Sequence, residues 1–180
     1  MSKKLFMYRL LSNEVTNVEN DEGIILSYKW NLIGLDRHIW KDEKIRNLSR
    51  QLNIRAFEVK QNNFDLLLTS APLLDITIVK VEFSDDLSEE EHEELVYILR
   101  NKKFEALTEF IDTQRYEFEK DIEQITFRFN YISNFHNITF SRDGVLTVDL
   151  NDGELRNLIS TEPIGLLSGL YLPDYHNRLH

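Results

Sequence analysis

The chain of 180 residues reads as an α+β protein, a mostly antiparallel sheet of about seven or eight strands with helices packed on one face. Three observations predict this. From Ile125 to Tyr131 apolar residues occupy every second position, with Thr126, Arg128 and Asn130 between them. Ile138 and Phe140 follow, then Ser141-Arg142-Asp143-Gly144, then Val145 and Thr147. A period of two marks strands with one dry and one wet face, and Asp-Gly between such runs marks a hairpin. The third observation is Ser88-Glu89-Glu90-Glu91, a capping box in front of an apolar stripe at helical spacing.

Taken in order, Lys4 to Leu11 predicts a first strand, followed by an exposed polar loop from Ser12 to Glu22. Gly23 to Leu32 is rich in β-branched and aromatic residues and predicts a second strand. Asp42 to Asn53 predicts a helix, because Ile45, Leu48 and Leu52 recur at spacings of three and four. Ile54 to Lys60, Phe64 to Thr69 and Asp75 to Phe83 predict three further strands, separated by Asn62-Asn63 and Ala71-Pro72. The helix opened by Ser88 buries Leu95, Ile98 and Leu99, with acids at its start and Lys102-Lys103 at its end, which suits the helix dipole. Phe104 to Ile122 predicts a second helix on the same face of the sheet, and Asp152 to Ser160 a short one. Residues 1–160 form a single domain in this reading. Residues 161–180 form an apolar C-terminal segment that packs on that domain or on a partner.

Composition narrows the class. An apolar fraction of 42% and eleven Phe supply a core without staples. There is no cysteine, so disulfides, thiolate metal sites and a cysteine nucleophile are excluded. No stretch approaches a membrane span, and Arg9 interrupts the first apolar run. The expectation is a cytoplasmic protein with no membrane partner. Few Gly and Pro beside abundant Asn and Ile fit an AT-rich bacterial or phage genome. The net charge of −10 is uneven. Residues 1–60 carry eleven Lys and Arg against eight Asp and Glu, whereas residues 61–125 carry six against seventeen. An acidic chain repels nucleic acid at long range, although its basic first third offers a local patch.

Four constellations carry candidate chemistry. The acidic run from Asp85 to Glu94, with Glu90, Glu93 and Glu94 at its centre, offers an array of carboxylates that competes for a basic groove. The apolar tail, with Leu167, Leu170 and Tyr171, offers a surface for another protein or a second copy. Arg46 and Arg50 share a helix face near Trp40, a pattern that holds a phosphate backbone beside a stacking ring. Glu58-Val59-Lys60, with Asp36 or Asp42 upstream, has the residue types of a metal-dependent nuclease: carboxylates for a divalent cation and a lysine near the attacked phosphate. His176 and His180, four apart, are too close to the terminus to count as a metal site, and His136 reads as a loop residue. No phosphate loop, nucleophile elbow or His-Glu-x-x-His is legible, and no cofactor is implied. The leading expectation is a non-enzymatic interaction protein, a regulator or inhibitor, acting through the acidic helices and the apolar tail. The alternatives are a metal-dependent nuclease-like enzyme using Asp42, Glu58 and Lys60, and nucleic-acid binding through the basic 37–60 segment.

Overall fold

The computed structural model describes residues 2–11, 21–131 and 134–169. Eight strands form one antiparallel sheet in the order β2-β3-β1-β8-β7-β6-β5, with β4 also paired to β1. In chain order the elements are β1 (Lys3–Leu10), β2 (Ile24–Ser27), β3 (Leu32–Asp36), α1 (Asp42–Leu52), β4 (Ile54–Ala56) and α2 (Gln61–Ser70). There follow β5 (Ile76–Phe83), α3 (Glu89–Arg100), α4 (Phe104–Phe118), β6 (Ile122–Tyr131), β7 (Asn134–Ser141) and β8 (Val145–Val148). Two short helices, α5 (Asp152–Leu158) and α6 (Glu162–Leu167), close the described chain. The α+β class with a mostly antiparallel sheet is the observed one.

The period of two decides which face each side chain serves. Along β1, Leu5 and Met7 enter the main core, while Phe6, Tyr8 and Leu10 point the other way into a second cluster. On β3, Leu32 joins the main core, and Ile33 and Leu35 join the second. Five helices, α2 to α6, lie on the main-core face. There Phe64, Leu67, Ile98, Phe110, Leu155 and Leu166 meet Phe127, Phe140 and Leu146 of the sheet. Helix α1 seals the opposite face over β1 to β4 with Ile45, Leu48 and Leu52. The rest of that face carries no helix among the described residues: the Thr126 and Thr139 hydroxyls bond across β6 and β7, Arg128 Nε donates to Asn137, and the Phe135 ring stands exposed beside them.

Several expectations need correction. The segment Gly23 to Leu32 is not one strand. It turns after Ser27, with Asn31 in the left-handed region (φ 49), and β3 returns alongside β2. Phe64 to Thr69 is helix, not strand: Phe64, Leu67 and Leu68 fall on one helical face and pack against α6. β4 stops at Ala56, although the Phe57 and Val59 N–H groups still find the carbonyls of Met7 and Arg142. α4 ends at Phe118 because Glu119 adopts a left-handed C-cap (φ 56), which frees Ile122 to begin β6. His136 lies within β7, opposite Phe129, and not in a loop. The expected loop at 12–22 falls mostly outside the described residues. Gly144 fills the hairpin turn at φ +77, where a Cβ would meet the Phe57 carbonyl oxygen at 2.2 Å. Only glycine fits that approach.

Candidate functional site

Helices α3 and α4 form an antiparallel hairpin, fixed at its open end by Glu91. The Ser88 Oγ accepts the Glu91 N–H at 3.3 Å, and Glu91 Oε2 accepts the Ser88 N–H at 2.7 Å. Glu91 also accepts from Gln114 Nε2 at 2.9 Å and from Lys120 Nζ at 3.1 Å. The start of one helix is thereby tied to the end of the other. These donors hold the Glu91 carboxyl well below its ordinary 4.5, at about 2. The Ser88 N–H contributes most, then the Gln114 amide; partial burial opposes them, and the Lys120 ammonium and Ser88 hydroxyl add the remainder.

The other acids of the hairpin are arranged differently. Glu90, Glu93 and Glu94 on α3, and Glu105, Glu109 and Asp112 on α4, are exposed. None of their carboxylates has an ion pair or hydrogen bond among the described residues. Each helix ends its acidic face on an aromatic ring: Tyr97 lies four residues after Glu93, and Tyr116 four after Asp112. Tyr97 is 56% exposed, Tyr116 76% and Phe118 52%. Because the helices run oppositely, the two tyrosines stand at opposite ends of a carboxylate field. Sequence reasoning found the acids and missed the rings. Their signal was an aromatic at the outward position of a charged helix, four residues from an acid.

A second feature lies where β4 gives way to α2. A cavity of about 680 Å³ is lined by Arg9, Arg55, Phe57, Glu58, Lys60 and Asn63 among others. Arg9 and Arg55 are cross-strand partners, so their side chains share a face. The Arg9 guanidinium sits 5.6 Å from the Phe57 ring centroid and donates to the Ser168 carbonyl at 2.6 Å. Lys60 occupies the N-cap of α2. In the sequence Arg9 stands out only as a break in an apolar run. Its parity with Leu5 and Met7 was the signal that it points to the helix-covered face.

The predicted site residues are scattered. Glu58 and Lys60 do line this cavity, and the nearest cation to Glu58 is Arg142, at 3.9 Å. Asp42 opens α1 on the other face of the sheet, near Tyr8, whose phenol is raised above its ordinary value by burial and then by Asp42. The sheet therefore separates Asp42 from Glu58. Asp36 is buried and accepts the His38 N–H at 2.9 Å, a turn-stabilising role. Among the described residues no group of three or more His, Asp or Glu is placed to hold a metal ion. Trp40 is half-buried against the second cluster, and its Nε1 donates to the Glu22 carbonyl, so it is not an open stacking surface. Arg46 and Arg50 are exposed on α1. Leu167 is fully buried in the main core, in the helix that packs on α2, and offers nothing to a partner in this fold. Leu170, Tyr171, His176 and His180 lie outside the described residues. No described helix is long and apolar enough to cross a membrane. No family model matches the chain, and no curated protein or solved structure matches it significantly.

Proposed function

We propose that this chain is a non-enzymatic protein-interaction module, regulatory in role, that engages a basic surface of another protein through the α3–α4 hairpin. One observation carries the reading: exposed carboxylates with no partner among the described residues, set beside the exposed rings of Tyr97, which the Lys103 ammonium overlies, and Tyr116. Carboxylates steer a basic partner and set its register, while rings of this kind supply contact area that charge alone does not. The Glu91 hub supports it by holding the two helices in fixed relation, so that little ordering cost falls on binding.

The test uses the full chain and two variants, one with Glu90, Glu94, Glu105 and Glu109 changed to Gln, the other with Tyr97 and Tyr116 changed to Ala. Both sets are exposed, and circular dichroism checks that the fold persists. Capture from lysate at low and high salt, followed by cross-linking, is expected to recover a basic protein in stoichiometric amount, cross-linked to α3 or α4 and lost in both variants. Equal recovery by all three chains would reject the reading.

A second reading rests on the cationic cavity. Arg9, Arg55 and Lys60 beside the first turn of α2 favour an anionic ligand, phosphate or the backbone of a nucleic acid. Titration with inorganic phosphate and with a short oligonucleotide, read by amide shifts in the intact chain and in Arg55→Ala, tests it. No shifts at residues 55–63 would dismiss it.

A further inference from the structure

β5 is the last strand of the sheet, paired with β6 on one side only. Apart from Ile76, whose N–H reaches the Ala71 carbonyl, no residue of β5 has a backbone hydrogen bond outside β6 among the described residues. A row of donors and acceptors therefore faces outward. Helix α3 runs beside this edge, and two adjoining cavities of about 790 and 360 Å³ lie between them. Val79, Val96 and Leu99 line both. The groove has an apolar middle.

Its ends carry opposite charge. Asp85, Asp86 and Glu123 surround one end, and Arg100 and Arg128 the other, with Lys102 and Lys103 just beyond. The helix repeats the pattern. Glu89, Glu93, Val96 and Arg100 follow one another at spacings of four, three and four, a single stripe along α3. Asp86, Glu89, Glu93 and Arg100 have no ionic partner among the described residues. A pattern that runs from acid through apolar to base is its own complement when turned end for end.

From this self-complementarity we infer that the β5 edge pairs with the β5 edge of a second copy, antiparallel, about a two-fold axis near Val79 and Val96. The sheet then continues across the axis, and the two α3 helices lie side by side with Glu89 and Glu93 of each copy against Arg100 of the other. An isologous contact closes on itself and gives a dimer, not a fibre. The edge is guarded against other pairing. The register shift between Ile78 and Lys80 marks a bulge at Val79, and the exposed Lys80 follows it. Bulges and lysines discourage indiscriminate strand addition, so the edge admits a strand of matching register and charge. With −10 on each copy, long-range repulsion opposes every encounter between copies, so only a contact whose local charges are complementary offsets it.

Sedimentation equilibrium of the full chain tests this with Glu93→Arg, Arg100→Glu and the double variant. Both positions are exposed, and circular dichroism confirms folding. The parent chain is expected to reach twice its monomer mass as concentration rises. Each single variant sets like charges against each other twice, once on each side of the axis, and raises the dissociation constant about 10- to 30-fold. The double variant restores most of the dimer, since the exchanged charges at positions 93 and 100 again oppose one another across the axis and only the unchanged Glu89 is left against a carboxylate. Hydrogen exchange at Thr77 to Phe83 slows in the dimer and quickens in the single variants. A chain that stays monomeric at every concentration overturns the proposal. So does a dimer indifferent to the single variants, or one that the double variant fails to restore. Binding of a foreign extended peptide at β5 by a strictly monomeric chain also overturns it, in favour of a heterologous partner.

Discussion

Replacing Glu91 by Gln keeps the side chain's shape and removes its charge at the junction of α3 and α4. Three donors from Ser88, Gln114 and Lys120 converge on that carboxylate. In the variant the ammonium of Lys120, whose side chain is only 14% exposed, loses its anion. A carboxyl held at about 2 in the fold against an ordinary 4.5 carries at most about 3 kcal/mol at neutral pH. A fifth of the Glu91 side chain remains in water, so solvent screening brings the expected loss to about 1–2 kcal/mol. The sign follows from the direction of the shift. A group whose folded pKa is depressed gives stability that is complete above its unfolded pKa and drains away as pH falls through the folded one. The gap between parent and Glu91→Gln is therefore full at pH 7, begins to close below about 4.5, and is nearly gone near 2. Urea unfolding at stepped pH, followed by circular dichroism, measures it. A difference that stays constant from neutral to acid pH, or that is absent at pH 7, would refute the assignment of Glu91 as the clasp.

Two further outcomes follow from packing. Gly144→Ala forces a Cβ to within 2.2 Å of the Phe57 carbonyl oxygen at a positive φ, so it costs more than about 2 kcal/mol and lowers the melting temperature. Leu167→Ala opens a void in the main core and costs about 2–5 kcal/mol by the same assay, whereas a surface role for Leu167 predicts almost no change.

The elements legible in the sequence were those whose pattern is local. Ser88 and Glu91 announce α3 because a capping box is completed within four residues. Ile125 and Phe127 announce β6 because one face of that strand is dry and the other wet. Leu32 to Asp36 escaped because β3 is buried on both faces, which erases alternation. Phe64 to Thr69 reads as a strand because a short apolar run looks alike in both states, and what decides for helix is the contact with α6, a hundred residues away. The site divided in the same way. The acids were visible because charge clusters in sequence. The Arg9, Arg55 and Lys60 cavity and the open β5 edge were not, because β1, β4 and α2 meet only in the fold, and because an edge strand is defined by which neighbour it lacks.

The pairing of β1 with β8 spans almost the whole described chain, with Lys3 opposite Val148 and Phe6 opposite Val145. Among the described residues this is the one strand pairing that joins the β2-β3-β1 and β8-β7-β6-β5 halves of the sheet, and the Met7 N–H to the Gly144 carbonyl and the Val59 N–H to the Arg142 carbonyl extend the seam. A ribosome making this protein releases the first strand long before its counterpart exists. Until the β7–β8 hairpin emerges, the nascent chain holds an unfinished half-sheet with one long side uncovered, and the sheet closes only once Val148 has been made.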